Sequence, residues 1–217
     1  MIGNSLQKGH KIPIDNHMTM WYNQITTNKK GVMEMDWQVP GTVLTIPRED
    51  GVHIKERFQA MFLAGGMVLS QVSAITGLEG YVIQNWVKRG FLTKPQNKHY
   101  TLRQLCRIIN INMLKSVLPL ERICHLLGYV NGQLDDESDD TVDDAQLYFM
   151  FVELASRSKE LYREETRETV LEEVLADYAE PVPGAKERVR EVLRIMLTAH
   201  LAARMTQAAE KMLSELK

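Results

Sequence analysis

The chain has 217 residues, 44% hydrophobic and 25% charged, with a net charge of −2, a balance that suits folding around a core and excludes disorder as the main state. At this length about 70% of the unfolded surface can be buried, so neither a disulfide nor a metal is needed for stability. Two cysteines without a CxxC pair, Cys106 and Cys124, exclude a disulfide framework and fit a reducing, cytoplasmic setting. The longest apolar run, residues 60–69, is half a bilayer span, so no membrane partner is expected.

Residues 1–51 mix Asn, Gly, Pro and Thr with isolated aromatics (Trp21, Tyr22, Trp37) and show no helical period. They read as an N-terminal arm, irregular or holding one short strand in VPGTVLTIP, limited by Pro40 and Pro47. Helical spacing begins at Val52, with Ile54, Phe58, Met61 and Phe62 on one face, and stops at Gly65-Gly66. Residues 69–76 form a short helix with Ser70 placed to cap it. Gly77 breaks that helix, and residues 81–89 make a second, ended by Gly90. Two short helices joined by a glycine-containing turn are a helix-turn-helix.

FLTKPQNKHY then reads as a two-stranded wing, Phe91-Leu92 out and Tyr100 back, turning at Pro95-Gln96-Asn97. Thr101 and Gln104 form a T-x-x-Q capping box for a helix whose inner face is Leu105, Ile108, Ile109 and Asn112 or Met113. Pro119 opens another helix, LERICHLL, closed by Gly128. Residues 145–177 and 185–216 are two long amphipathic helices separated by EPVPGA, an antiparallel hairpin. The second carries Val189, Val192, Leu193, Met196, Leu197, Leu201, Met205, Ala208, Met212 and Leu213, a stripe wider than one partner helix covers.

Charge is segregated along the chain. Residues 81–125 hold eight bases (Lys88, Arg89, Lys94, Lys98, Arg103, Arg107, Lys115, Arg122) against Glu121 alone, net +7. Residues 126–152 hold seven acids and no base, net −7. Such blocks point to a charged partner. In the second helix the 3.6-residue period puts Ile83, Trp86 and Val87 inward and Tyr81, Gln84, Asn85, Lys88 and Arg89 outward. Gln84 and Asn85 can each pair bidentately with adenine, and the bases can grip phosphates. The plainer reading is a polar surface on a protein-docking winged helix.

Other features favour plain readings. Trp86 suits core anchoring better than base stacking, and Cys106 and Cys124, beside His125, lie at apolar helix positions, so no metal site is expected. DDESDD lacks the glycine and glutamate of a calcium loop and reads as a solvated linker, residues 135–144. An alternative is that it competes with DNA for the basic block. Met196, Met205 and Met212 are core or interface filler. Without a phosphate loop, HExxH, GxSxG or paired carboxylates, neither an enzyme nor a cofactor is expected.

Residues 68–128, reading LSQVSAITGLEGYVIQNWVKRGFL, KHYT and PLERICHLL, resemble the DNA-binding domain of the MerR family of bacterial regulators. QNWVKRGFL, KHYTLRQL, IININMLK and DDESDD, within residues 52–152, are similar more closely to a bacterial domain-of-unknown-function family related to MerR. Gln84-Asn85-Trp86 stands where MerR proteins have Arg-Tyr-Tyr, Lys98 replaces the wing arginine, and the wing is shorter. The resemblance implies a mostly helical fold: a winged helix-turn-helix over 52–134 and a dimerisation or effector hairpin over 145–217. It implies a homodimeric transcriptional regulator of double-stranded DNA, with a small-molecule effector possible. The residues expected at DNA are Ser70, Gln71, Tyr81, Gln84, Asn85, Lys88, Arg89, Lys94, Lys98, His99 and Arg103.

Overall fold

The computed structural model describes residues 36–63, 65–157 and 164–216; Trp21, Tyr22 and most of the expected arm lie outside these. The described part is mostly helical with two small sheets, all within one compact unit. No helix among the described residues is long and apolar enough to cross a membrane.

Residues 36–47 are not a loose ribbon. β1 (Asp36–Gln38) pairs antiparallel with β2 (Thr45–Pro47), Trp37 opposite Ile46. Trp37, Val39, Leu44 and Ile46 are all buried, which no helical period could have announced. The hairpin is tied to distant helices: the Tyr148 hydroxyl donates to the Pro40 carbonyl, the Asn112 amide to the Gly41 carbonyl, and the Val43 N–H to the Ile75 carbonyl. Gly41 sits at φ +73°, and a Cβ there would lie 2.6 Å from the Ile109 carbonyl oxygen, so only glycine fits.

A 3₁₀ turn (Arg48–His53) leads into α1 (Ile54–Met61), which buries Ile54 and Phe58. β3 (Met67–Val68) feeds directly into α2 (Leu69–Thr76), which buries Val72 and Ile75 and ends at Gly77 with φ +70°. Ser70 is not its cap. The helix spans the expected residues, so its cap position falls on Val68, whose N–H is accepted by the Gln71 side chain at 2.9 Å. After a turn of Gly77, Leu78 and Glu79 comes α3 (Gly80–Lys88), with Ile83 and Trp86 buried, Val87 half-buried and Gly90 at φ +76°.

The wing differs from expectation. β4 (His99–Tyr100) pairs with β3, Met67 opposite Tyr100 and Val68 opposite His99, and not with Phe91-Leu92. What remains of the wing is a tight turn, closed by a bridge between Gln96 and His99, with Asn97 and Lys98 both in the left-handed region.

α4 (Leu102–Leu114) is the central helix, packed by α2, α5 (Leu120–Asn131), α6 (Asp144–Ser156) and α8 (Ala185–Ser214). It is therefore buried on nearly every side and not along one stripe. Its capping box is in place: the Thr101 hydroxyl accepts the Gln104 N–H at 3.2 Å, and Gln104 Oε1 accepts the Thr101 N–H at 2.9 Å. α5 runs through Gly128 and stops at Gly132 (φ +57°). A single glycine costs a helix only about 1 kcal/mol, so packing overrides it.

α6 opens on Asp143, whose carboxylate accepts the N–H groups of Ala145 and Gln146. The expected helix over 145–177 is described as α6 and α7 (Glu164–Val174), with residues 158–163 between them outside the described set. α7 and α8 run antiparallel, as Glu168 with Arg194 and Glu172 with Arg190 require. The first half of α8 buries Val189, Val192, Leu193, Met196, Leu197 and Leu201. Its second half projects, leaving Met205, Met212 and Leu213 63–68% exposed.

Candidate nucleic-acid interface

α3 is short, and its burial is one-sided. Ile83 (0% exposed) and Trp86 (3%) lock one face to the core. Tyr81, Gln84, Asn85 and Lys88, at i, i+3, i+4 and i+7, therefore share the opposite face, and all four are exposed. Tyr81 is 71% exposed, an unusual position for a large aromatic unless it has a partner.

The loop after α3 is held from below by α4. Gln104 Nε2 donates to the carbonyls of Thr93 and Lys94 and to the Thr93 hydroxyl, at 2.8–3.2 Å. Arg107 Nε donates to the Phe91 carbonyl at 2.9 Å. These bonds fix a loop from which Lys94 and Lys98 project into solvent. At its tip the His99 N–H donates to the Gln96 carbonyl at 2.8 Å, a two-residue turn of type I′ geometry. His99 faces Val68 across the strand pair, which brings it beside the start of α2, where Ser70 is exposed.

The eleven residues expected at DNA thus fall into two groups. Ser70, Tyr81, Gln84, Asn85, Lys88, Lys94, Lys98 and His99 are exposed and have no ion pair among the described residues. Gln71, Arg89 and Arg103 are engaged. Gln71 caps α2. Arg89 pairs with Glu121 at 2.6 Å and stacks over Phe91 at 4.5 Å, although both partners of the ion pair stay on the surface. Arg103 pairs with Asp140 at 2.7 Å and approaches Asp144 at 4.0 Å.

That last contact belongs to a cluster the sequence reading missed. Arg107, 6% exposed, meets both oxygens of Asp144 at 3.2 and 3.4 Å, and Asn110 donates to the Asp144 carbonyl. Asp144 is 1% exposed; burial raises its carboxyl, and the Arg107 guanidinium opposes the rise. Burial also pushes Asp140 up to about 6, against the pull of Arg103, with Asp144, Asp139 and Asp143 adding to the rise. Part of the expected solvated linker is accordingly packed. The adjoining net +7 and net −7 blocks were the signal: opposite charges of that size, close in sequence, find each other. Spacing alone could not say which pairs form across 37 residues.

Burial pushes the Cys106 thiol well up and the Cys124 thiol up. No group of three His, Cys, Asp or Glu among the described residues could hold a metal ion.

A second concavity, of about 570 Å³, lies between α5 and α8, with Leu118, Leu126, Tyr129, Val192 and Ile195 as its apolar lining.

Neither the curated proteins nor the solved structures provide a match to this chain. Residues 66–151, from β3 into α6, match the family described as Domain of unknown function (DUF1836), a match that spans α2, α3, the turn and the charge cluster.

Proposed function

We propose that the chain is a sequence-specific duplex DNA-binding protein, a transcriptional regulator of MerR-like winged-helix type. The observation that carries this reading is the face of α3: an aromatic, two amides and a lysine stand in solvent on a helix whose other side is locked by Ile83 and Trp86. Amides on a helix face suit the adenine edge in the major groove, and Lys88, Lys94 and Lys98 suit phosphates. A helix preceded by another across a three-residue turn is the arrangement that presents such a face. Binding, and not catalysis, is the activity proposed.

A homodimer is part of the proposal. Ile195, Thr198, Ala202, Met205, Ala209 and Met212 follow 3-4 spacing along α8, and all are exposed. That spacing is a coiled-coil seam left uncovered by the described residues. A chain ending near Gly132, expected from the sequence to be monomeric and to lose most of its DNA affinity, would also lose α6, which packs against α4, and Asp144, which neutralises Arg107. The dimer is better tested by changes confined to the projecting half of α8.

Selection of bound sequences from random duplexes, repeated with Asn85→Ala, tests the base-reading assignment. A preferred site should emerge, and the variant should lose about 1–3 kcal/mol on that site and little elsewhere. Unchanged preference in the variant would remove Asn85 from base contact. A protein-docking module is the second reading, favoured by the groove between α5 and α8, where Tyr129 and Ile195 are 47% and 46% exposed.

A further inference from the structure

Arg103 lies two residues into α4, just beyond the strand that carries His99. Its Nη2 meets Asp140 at 2.7 Å, and the two side chains are 20% and 9% exposed. The other oxygen of that carboxylate, Oδ1, is buried with no hydrogen-bond partner. Asp144 differs: both its oxygens are engaged by Arg107 and it is sealed at 1% exposure, as befits a structural pair. A half-satisfied carboxylate at the edge of solvent is one that another anion can displace.

The surroundings fit such an exchange. Residues 133–139 are closed mainly by short-range bonds, Gln133 N–H to Asp139 and Ser138 to Asp136. Firm attachment begins at Thr141, whose N–H and hydroxyl both donate to the Val130 carbonyl. Beside Arg103 a cavity of about 240 Å³ opens between Lys94, Thr101, Gln104 and Arg107, with the carboxylates Asp135 and Asp144 also on its wall.

We propose that the acidic segment, residues 135–144, is a built-in competitor for the DNA backbone: Asp140 holds the Arg103 guanidinium that a backbone phosphate takes over when duplex binds. The proposal rests on the DNA-binding reading and deepens it. A phosphate accepts two parallel N–H bonds from arginine, so it can outbid a carboxylate that uses only one of its oxygens. The acidic segment then sets a threshold, and weak duplex contacts do not capture Arg103.

The test uses the full chain. Asp140→Asn should bind non-specific duplex about five-fold more tightly at about 100 mM salt, and its log-log salt dependence should steepen by about 0.9 per subunit. Arg103→Ala added to Asp140→Asn should abolish both changes. Asp135→Asn removes a charge from the same cavity wall without touching Arg103 and should change neither. Equal gains from Asp135→Asn and Asp140→Asn would mean only general charge relief and would overturn the proposal. So would wild-type affinity in Asp140→Asn.

If neither the wild type nor Asp140→Asn retards any duplex, the DNA reading itself falls. Should Asp140→Asn not fold, the wild type still decides: its Arg103 Nε–Hε NMR signal, assigned with Arg103→Lys, should shift when a short duplex carrying the preferred site is added. A signal unmoved in a complex that forms would refute the exchange.

Discussion

Lys98 occupies a position that stability alone would not give to lysine. Asn97 (φ +48°) and Lys98 (φ +66°) are consecutive left-handed residues in a two-residue turn, and such turns favour Asn-Gly. A non-glycine residue there costs roughly 1–2 kcal/mol. Replacing it with glycine returns that strain but adds about 0.5–1 kcal/mol of unfolded-chain entropy. Lys98→Gly should therefore stabilise the fold by about 0.5–1 kcal/mol, read as a higher urea midpoint with an unchanged slope.

The same change removes an exposed charge next to the proposed interface, so duplex affinity should fall. The salt dependence should flatten by about 0.9 per subunit. Lys98→Asn, which tolerates the left-handed region, should share the binding loss with little change in stability. Fluorescence anisotropy of a labelled duplex over a salt series reads the binding side. A stabilised variant with unaltered salt dependence would show that Lys98 touches no phosphate, and a destabilised one would show that the turn is not as described.

Arg107→Leu should cost about 3–5 kcal/mol in urea unfolding, because Asp144 is left charged at 1% exposure and the Phe91 carbonyl loses its donor. Adding Asp144→Leu should recover part of that loss. His200 sits edge-on to Phe151 at 5.5 Å, and burial, with Arg204 and Arg48 nearby, lowers it to about 4. Its contribution to stability is present above about pH 6.5 and is lost as pH falls toward 4. Asp140 acts oppositely, since a carboxyl raised to about 6 stabilises the fold as pH falls from 6 toward 4. Measured against wild type, His200→Leu should therefore gain stability at pH 4.5 compared with pH 7, and Asp140→Asn should lose it. Met205→Asp with Met212→Asp should sediment as a monomer and lose most duplex affinity, because two half-sites no longer act together. A wild-type monomer in the same experiment would refute the seam on α8.

Local chemistry was the legible part of the sequence. The Thr101–Gln104 capping box, the inward Ile83 and Trp86 and the breaks at Gly77 and Gly90 are written in neighbouring residues, and each stands where spacing puts it. Partners far along the chain were not legible. The pairing of β4 with β3, and the seating of residues 36–47 against α4 and α6, depend on contacts spanning 31 to 108 residues, which no period encodes. Gly128 misled because packing outweighs one residue's helix propensity. The split of α8 into a buried and a projecting half was half visible: the apolar stripe was too wide, but which end was surplus depended on where α5 and α6 lie. Of the candidate site, the exposed α3 face could be read from its period, whereas Arg103 reads as a free cation until Asp140 is seen beside it.

The salt dependence of duplex binding by the full chain tests the central claim most directly. With Arg103 and Arg107 held internally and Arg89 paired with Glu121, Lys88, Lys94 and Lys98 remain for phosphates in each subunit. On non-specific duplex, where Arg103 stays with Asp140, a dimer engaging about six phosphates should show a log-log slope near −5, and nearer −7 in Asp140→Asn if Arg103 then engages phosphate. No retardation of any duplex at about 50 mM salt, or binding that does not weaken with salt, would contradict the account and leave the groove between α5 and α8 as the working surface of the protein.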